Sequence, residues 1–253
     1  MRPIIRHILL HSFCGEAIAA FSRFSTAPTG ARQGQINTVL SALKNAGVLS
    51  KLDALYLLAA ADAQAGRQNL VQNAYNLTEV NAPTFTVDRG YTGNGSTSHL
   101  TTGFNPATAG GRFSLNSASQ FVWVRTGTSA TMVDVGNFSS RICPSDAGGS
   151  LSIRPNNGGA PGLDAGQSAV GLSAWSRSGA THFDSYKNGA LVANKALASA
   201  NVDSVAFTLL SQAGAAYSSH QISAAGWGGA LTASDMATLH TVLNNYLTAV
   251  GAV

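Results

Sequence analysis

The chain has 253 residues, of which 45% are hydrophobic and only 10% are charged. This length and hydrophobic content suit one large folded domain, with or without a short extension, and exclude wholesale disorder. The 15 basic residues are scattered among 11 acidic ones, which gives a formal net charge of +4. Because no basic cluster or nucleic-acid-binding motif accompanies that charge, we expect no nucleic-acid partner.

The N-terminal stretch MRPIIRHILLHSFCGEAIAAFSRF has an apolar patch but not the pattern of a signal peptide. Arg6 and His7 interrupt the patch, Glu16 follows it, and no A-x-A cleavage site precedes a polar start. No run of about 18 apolar residues is present, so we expect no membrane insertion. We therefore expect an unprocessed protein made in the cytoplasm, with residues 1–25 as an arm that a partner could order.

The two cysteines, Cys14 and Cys143, give little information. They are far apart, and no C-x-x-C motif or histidine at metal-ligand spacing accompanies them. Two unpaired thiols are the favoured interpretation, and a disulfide that staples the arm is the alternative.

The first predicted elements are a helix and a buried strand. In GQINTVLSALKNAG, apolar residues recur at helical spacing and Gly47 follows as the C-terminal stop. The apolar positions of this helix are Ile36, Val39, Leu40 and Leu43. The continuous apolar run at residues 52–60 predicts a buried strand, and residues 61–69 predict a helical turn or connector.

From about residue 75 the pattern changes to short segments rich in β-branched and aromatic residues, separated by Gly, Ser and Asn. Many short strands with almost no helix between them are typical of an antiparallel sandwich. In SYKNGALV, Asn188-Gly189 predicts a hairpin with a type I′ turn. The predicted strands cover residues 83–89, 119–126, 131–138, 150–154, 169–177, 181–187, 190–196, 205–212 and 220–228.

The last predicted element is an amphipathic helix in LTASDMATLHTVLNNYLTAVG. Thr232 and Asp235 have the spacing of a capping box, and Gly251 closes the helix. We expect this helix to cover an edge or end of the sandwich. The apolar face comprises Met236, Leu239, Leu243, Tyr246, Leu247 and Val250.

Several separated strings resemble concanavalin A-like (laminin-G-like) sandwiches and, more narrowly, virion proteins of tailed phages and prophages. The strings are RGYTGNGSTSHLTTGFNP, SQFVWVRTG, SYKNGALV and GWGGALTASDMATLHTVLNNYL, preceded by INTVLSALKNAGVLSKLDALYLLAA. The resemblance covers residues 30–250. It implies a concanavalin A-like antiparallel β-sandwich (jelly roll), with a short N-terminal helical arm and a C-terminal amphipathic helix. It also implies a location on a phage or phage-like particle, such as a gene transfer agent, assembled in the bacterial cytoplasm.

The glycine-rich run DRGYTGNGSTSHLTTGFNP is predicted to be architectural. A phosphate cradle would need G-x-G-x-x-G before a helix, or a Lys followed by Ser or Thr, and neither is present. We expect a strand, a tight corner in which glycine permits close backbone approach, a short strand and a loop.

Catalysis and metal binding have weak support in the sequence. No strand carries two acids on one face, no G-x-S-x-G motif occurs, and only Asp134, Asp164 and Asp184 could converge as a glycanase pair. We expect no enzymatic activity, no cofactor and no metal. Residues 143–166 are interpreted as an uncharged, flexible turn region, with calcium binding as the alternative; its ligands would be Asp146, Asn156, Asn157 and Asp164.

Aromatic residues leave both core and ligand roles open. Trp123 is predicted to lie in the core. Trp175 with Arg177, Tyr186 or Tyr217 could instead stack on a sugar ring.

The function predicted from these observations is that of a non-enzymatic virion protein, a spike, fibre or tail component. Residues 1–50 would attach it to capsid, tail or fibre subunits, and residues 51–253 would form a lectin-like sandwich that binds host-surface polysaccharide. Weak binding would be raised by multiple copies on the particle, as a homo-oligomer or otherwise. The alternative is a purely structural decoration or connector protein, and a glycan-degrading enzyme is a third possibility. The glycan-binding candidates are Arg154, Asn156, Asn157, Asp164, Tyr217 and His220.

Overall fold

The computed structural model describes residues 13–253. Within this range four α-helices flank or interrupt a β-rich body: α1 (Gly15–Phe21), α2 (Gly30–Asn45), α3 (Ala63–Gly66) and α4 (Ala233–Ala249). A short 3-10 turn, Leu49–Lys51, leads from α2 into the first strand. The 15 strands belong to two antiparallel sheets, here named sheet A and sheet B.

Sheet A has eight strands in the order β13-β12-β11-β6-β15-β4-β3, with β1 also paired to β15. Strands β6 and β15 form its centre, and every residue of β15 is buried. The bounds are β1 (Leu52–Leu57), β3 (Thr84–Thr86), β4 (Gly90–Thr92), β6 (Ala118–Thr126), β11 (Gly171–Arg177), β12 (His182–Lys187), β13 (Ala190–Ala196) and β15 (Gln221–Gly228).

Sheet B has seven shorter strands in the order β10-β9-β8-β7-β14-β5-β2. The bounds are β2 (Thr78–Val80), β5 (His99–Thr101), β7 (Val135–Gly136), β8 (Ser140–Cys143), β9 (Ser150–Pro155), β10 (Gly162–Ala165) and β14 (Thr208–Leu209). Its inner face packs on sheet A.

A core rich in aromatic side chains fills the space between the two sheets. Trp175 and Trp227 on sheet A and Phe207 beside sheet B are all fully buried there. Phe104 lies with its ring centroid 5.4 Å from that of Trp227 and 5.5 Å from that of Phe207. Such aromatic contacts bury large apolar areas and stabilise the sandwich.

A second core lies on the other side of sheet A, under the helices. Strand alternation directs Phe121 and Trp123 of β6 towards this side, while Val122 and Val124 enter the sandwich. Leu40 of α2 and Leu243 of α4 belong to this second core and are fully buried. The molecule therefore has three layers: helices, sheet A and sheet B.

The structure confirms the predicted fold class and most elements. Helix α2 buries the four predicted apolar residues, and α4 begins with the predicted capping box of Thr232 and Asp235. Asn188 and Gly189 have φ values of 48° and 78°, as a type I′ turn requires. The glycine-rich run forms β4, a corner and β5, and a Cβ at Gly93 would overlap the carbonyl oxygen of Ser218.

Three details of the sequence analysis need correction. The predicted strands at 131–138 and 205–212 shrink to two residues each, β7 and β14. In the second segment Leu210 has a φ of 63°, which ends the extended backbone. The interpretation of residues 143–166 as a flexible turn region is wrong at its end, because Gly162–Ala165 form strand β10, which pairs with β9 in a hairpin.

The N-terminal region is described only from residue 13. The remaining part of the predicted arm, residues 1–12, lies outside the described residues. Helix α1 packs on α2, and both helices contribute to the core under sheet A. Attachment of this region to a particle stays a prediction.

Cys14 and Cys143 are both free thiols. Within residues 13–253, no helix is long and apolar enough to cross a membrane.

Candidate functional site on the outer face of sheet B

Three of the six predicted glycan-binding residues, Asn156, Asp164 and His220, are buried and already engaged. The Asn156 side chain accepts a hydrogen bond from Ser140 and donates to the carbonyl oxygens of Ser114 and Leu115. None of the three presents an exposed side chain, so their assignment as surface ligands is corrected: they stabilise the fold.

His220 forms a buried ion pair with Asp134. The imidazole Nδ1 lies 2.8 Å from the Asp134 carboxylate, and Nε2 lies 3.0 Å from the carbonyl oxygen of Thr128. Burial disfavours the charged imidazolium, but the hydrogen bond and charge of Asp134 outweigh burial and raise the pKa of His220. The signal for this role, a carboxylate 86 residues away, is not visible in the sequence.

Asp164 and Asn157 lie at the β9–β10 hairpin but point to different surroundings. Asp164 faces the sandwich interior and pairs with Lys195 at 2.9 Å. Asn157 is half-buried in the loop after β9, where its side chain donates to the carbonyl oxygen of Ala198. Neither side chain joins Arg154 in a common surface cluster.

Arg154 and Tyr217 share the outer side of sheet B. Arg154 lies on β9 opposite Arg141 of β8, and both are half-buried. Tyr217 is also half-buried, with its ring centroid 5.7 Å from that of His99 on β5. The structure thus keeps these two predicted residues on one face and adds Arg141, which the sequence analysis did not select.

A row of directly paired residues crosses this outer face. Because paired residues in antiparallel strands point to the same side, one register row shows which side chains share the surface. From β9 to β2 the row contains Arg154, Arg141, Gly136, Thr208, Thr101 and Thr78. The turn around residues 211–215 covers Thr208, since the hydroxyl of Thr208 accepts a hydrogen bond from the amide of Ala213.

The end of this row on β8 and β9 is not covered by that turn, and it is the candidate site. We name it the arginine site; it is formed by Phe138, Arg141, Arg154 and Gln212. Arg154 donates from Nη1 to the carbonyl oxygen of Phe138 at 3.0 Å, and Arg141 donates to the side-chain oxygen of Gln212. Phe138 occupies the turn between β7 and β8 with 43% of its surface exposed. An exposed aromatic residue therefore contacts Arg154 through its main chain, and Arg154 is paired across the strands with Arg141.

The two arginines have no acidic partner. All seven ion pairs within residues 13–253 involve other residues, so no carboxylate lies within 4.0 Å of either guanidinium. Burial and the neighbouring charge of Arg154 lower the pKa of Arg141, although arginine stays protonated in proteins. The site can donate several hydrogen bonds and carries two positive charges.

The other aromatic candidates are unavailable to a ligand in solution. Trp175, Arg177 and Tyr186 are essentially fully buried, so the hypothesis that they stack on a sugar is wrong. Trp123 lies in the core under the helices, as predicted, and its ring stacks on His240 at a centroid distance of 5.4 Å.

The three candidate acids do not meet in one cleft. Asp134 is buried against His220, and Asp164 faces the sandwich interior. Asp184 follows the interior residue Phe183 on β12 and so points to the opposite side of sheet A. Paired carboxylate chemistry needs two carboxyl groups roughly 5–10 Å apart on either side of one bond. Asp184 is on the other side of sheet A from Asp134 and Asp164, and those two are already engaged by His220 and Lys195.

A serine beside a lysine occurs at the end of the sandwich. Lys187 Nζ donates to Ser173 Oγ at 3.0 Å, and burial lowers the pKa of Lys187 to about 8. This combination can activate a serine nucleophile. Here Ser173 is fully buried, so a substrate cannot reach its oxygen in this conformation.

The four oxygen donors considered for calcium have separate partners. Asp146 accepts from the amides of Gly148 and Ser150 within its own turn, while Asn156 and Asp164 make the buried contacts described above. Across residues 13–253, no group of three or more His, Cys, Asp or Glu side chains is arranged to hold a metal ion.

Concavities elsewhere in the described chain include the following two. A polar cleft of about 220 Å³ near β11–β13 contains Asp184, whose oxygens already accept from Tyr186 and Asn194. A more apolar cavity of about 320 Å³ lies between α2, α4 and the end of β1. Neither combines an exposed aromatic residue with arginines that lack an acidic partner, as the arginine site does.

Comparisons with known proteins support the fold. The structure is similar to a mutant Trypanosoma rangeli sialidase displaying trans-sialidase activity, with a TM-score of 0.55 and 12% identity over 85% of this chain and 39% of that one. It is also similar to a structure of botulinum neurotoxin type C, a toxin whose cell entry is dependent upon interaction with two ganglioside molecules. For that structure the TM-score is 0.52, with 11% identity over 78% of this chain and 53% of the toxin chain.

These similarities establish the β-sandwich fold alone, since the identities are low. This chain spans about two-fifths of the sialidase chain and about half of the toxin chain. No protein-family model and no curated protein sequence matches it.

Proposed function

We propose that this protein is a non-enzymatic virion component of a tailed phage or phage-like particle, and that its sandwich binds host-surface glycan. The observation that carries the glycan part is the arginine site, in which the exposed Phe138 accepts a main-chain hydrogen bond from Arg154 and Arg154 is paired with Arg141. Sugar rings stack on aromatic faces, and guanidinium groups donate hydrogen bonds to sugar oxygens.

Two further observations support glycan binding. The fold is shared with a toxin structure described as interacting with gangliosides, which makes a binding role on such a sandwich reasonable. The separate positions of Asp134, Asp164 and Asp184 support binding without hydrolysis.

The virion part of the proposal rests on the resemblance of the separated strings INTVLSALKNAG, RGYTGNGSTSHL and GWGGALTASDM. The protein would be assembled in the bacterial cytoplasm, contact capsid, tail or fibre subunits through its N-terminal region, and occur in many copies. Many copies would convert weak single-site binding into strong attachment.

The test is a glycan array probed with the full chain on a multivalent carrier, with and without calcium. The full chain is needed because α1 and α2 share a core with sheet A. We expect saturable binding to defined glycans, no released product and no calcium requirement. A Phe138→Ala variant should lose binding, whereas a Leu191→Ala variant, which removes an exposed side chain from sheet A, should keep it.

If the wild-type protein bound no glycan on the array, the proposal of glycan binding would be contradicted. Continued assembly of that protein onto particles would then favour the purely structural alternative. Release of a shortened sugar from an array ligand would favour the third possibility, a glycan-degrading enzyme.

A further inference from the structure

The arginine pair conflicts with the ordinary rules of sheet stability. Like charges directly opposite each other on neighbouring strands repel, and natural sheets usually separate them or place an acid between them. Arg141 and Arg154 are directly paired, and neither contacts a carboxylate of the described chain. A local conflict without internal compensation is characteristic of a functional position.

The hydrogen bonds that these arginines make leave donors unused. Each side chain donates from one terminal nitrogen to a neutral oxygen, of Gln212 or of Phe138. The Nε atoms of both arginines are buried without a hydrogen-bond partner. Those Nε–H groups are closed to solvent. A guanidinium has five N–H donors in a planar fork, so the donors left for an anion are the remaining N–H groups of the terminal nitrogens.

We propose that the arginine site recognises an acidic glycan, one whose sugars carry carboxylate or sulfate groups. This inference rests on the proposed glycan binding and names its ligand class. The planar oxygens of a carboxylate or sulfate match the arginine fork and would relieve the repulsion between Arg141 and Arg154. The exposed ring of Phe138 would contact the apolar face of the same or the next sugar.

The experiment compares acidic with neutral polysaccharides. The full chain on a multivalent carrier is titrated with heparin (sulfated), polygalacturonate (carboxylated) and dextran (neutral), from about 0.05 to 0.5 M NaCl. Polyglutamate serves as a non-sugar polyanion. We expect binding to heparin or polygalacturonate that weakens with salt, and no binding to dextran or polyglutamate.

Substitutions locate the binding on the molecule. Arg141→Gln and Arg154→Gln should each lower the affinity about tenfold or more, because each removes charge-assisted hydrogen bonds. Arg154→Lys, which keeps the charge but loses the fork, should fall between wild type and Arg154→Gln. The matched control is the double variant Lys44→Gln/Arg112→Gln, which removes two exposed charges elsewhere and should bind like wild type.

The outcomes separate the two proposals. Binding to dextran as strong as to the acidic polymers, or equal loss in the control variant, would overturn the acidic ligand and leave glycan binding standing. Binding to polyglutamate equal to heparin would also overturn it, because general charge attraction would then suffice. No binding to any sugar would overturn both. The preference of the wild-type protein for acidic polysaccharides over dextran and polyglutamate tests the proposal even where an arginine variant fails to fold.

Discussion

The buried pair of His220 and Asp134 is a single contact with a measurable consequence. Its carboxylate and imidazole are both almost completely buried and lie 2.8 Å apart. Lys187 lies close enough for its charge to interact with Asp134. Removing one partner from such a pair costs about 3–5 kcal/mol, because the other charge stays buried.

This pair predicts a loss of stability as the pH rises. The folded-state pKa of His220 is raised above the value of about 6.5 of an unfolded histidine. The stabilisation is therefore fully present below about pH 6.5 and is lost as the pH rises through the folded-state pKa. We expect the free energy of unfolding, measured by denaturant titration from about pH 5.5 to 7.5, to decline more in wild type than in His220→Gln.

The control is His182→Gln, which changes an exposed histidine on β12 and should leave the wild-type decline unchanged. Parallel curves for wild type and His220→Gln would show that the pair does not carry the pH dependence.

At the residue scale, the sequence predicted conformations better than contacts. The positive φ of Asn188 and Gly189 follows from local chemistry and is readable from two letters. The opposition of Arg141 and Arg154 depends on the register of β8 against β9, and β8 has only four residues with little strand signal. That is why Arg154 was selected and Arg141 was missed.

The hairpin turn between β12 and β13 packs against helix α4 at Gly189. Gly189 has a φ of 78°, and an added Cβ would come 2.7 Å from the Cβ of His240 and 3.2 Å from the Cα of Ala237 on α4. A side chain here therefore meets both backbone strain and a steric clash.

We expect Gly189→Ala to lower the free energy of unfolding by roughly 2–4 kcal/mol, from the left-handed backbone and the overpacking together. Gly179→Ala is the matched control, since an added Cβ there meets no atom within 4 Å and the glycine has no positive φ. Denaturant titration of both variants measures the difference. Equal stability of the two would contradict the described packing of the turn on α4.

At the element scale, periodicity predicted long elements well and short ones poorly. Helices α2 and α4 and the strands β6, β11 and β15 follow from clear apolar patterns, whereas β2, β5 and β10 have three or four residues each. Such short strands are specified by pairing with neighbours, which a single sequence does not reveal.

The whole molecule is described as one packed body with helices on sheet A. Leu40 of α2 is fully buried in the core that also contains Trp123 of the sheet. If this layer is integral, damage to α2 must destabilise the sandwich.

We expect Leu40→Ala to lower the free energy of global unfolding by about 2–5 kcal/mol, from lost apolar burial and the cavity left behind. Tryptophan fluorescence in a Trp123→Phe background reports on sandwich unfolding, because Trp175 and Trp227 lie between the sheets whereas Trp123 shares the core of Leu40. Thr38→Ala, on the exposed side of α2, should change stability little. Unchanged fluorescence unfolding in Leu40→Ala would mean that α2 is a detachable arm.

At this scale the sequence predicted the sandwich but not the third layer. The apolar faces of α2 and α4 showed that both helices must dock on something, and the partner surface became visible only in three dimensions. Phe121 and Trp123 supply part of that surface because their strand is buried on both sides.

The central claim, that the arginine site holds glycan, is tested most directly by nuclear magnetic resonance of the arginine side chains. The Nε–H groups of Arg141 and Arg154 are assigned through the two Arg→Gln variants and followed as the best glycan from the array is titrated. We predict saturating shifts of these two signals, with the Nε–H of the buried Arg177 unmoved. Glycan binding that leaves both signals unchanged, or that shifts residues of the β11–β13 cleft instead, would contradict the proposed site.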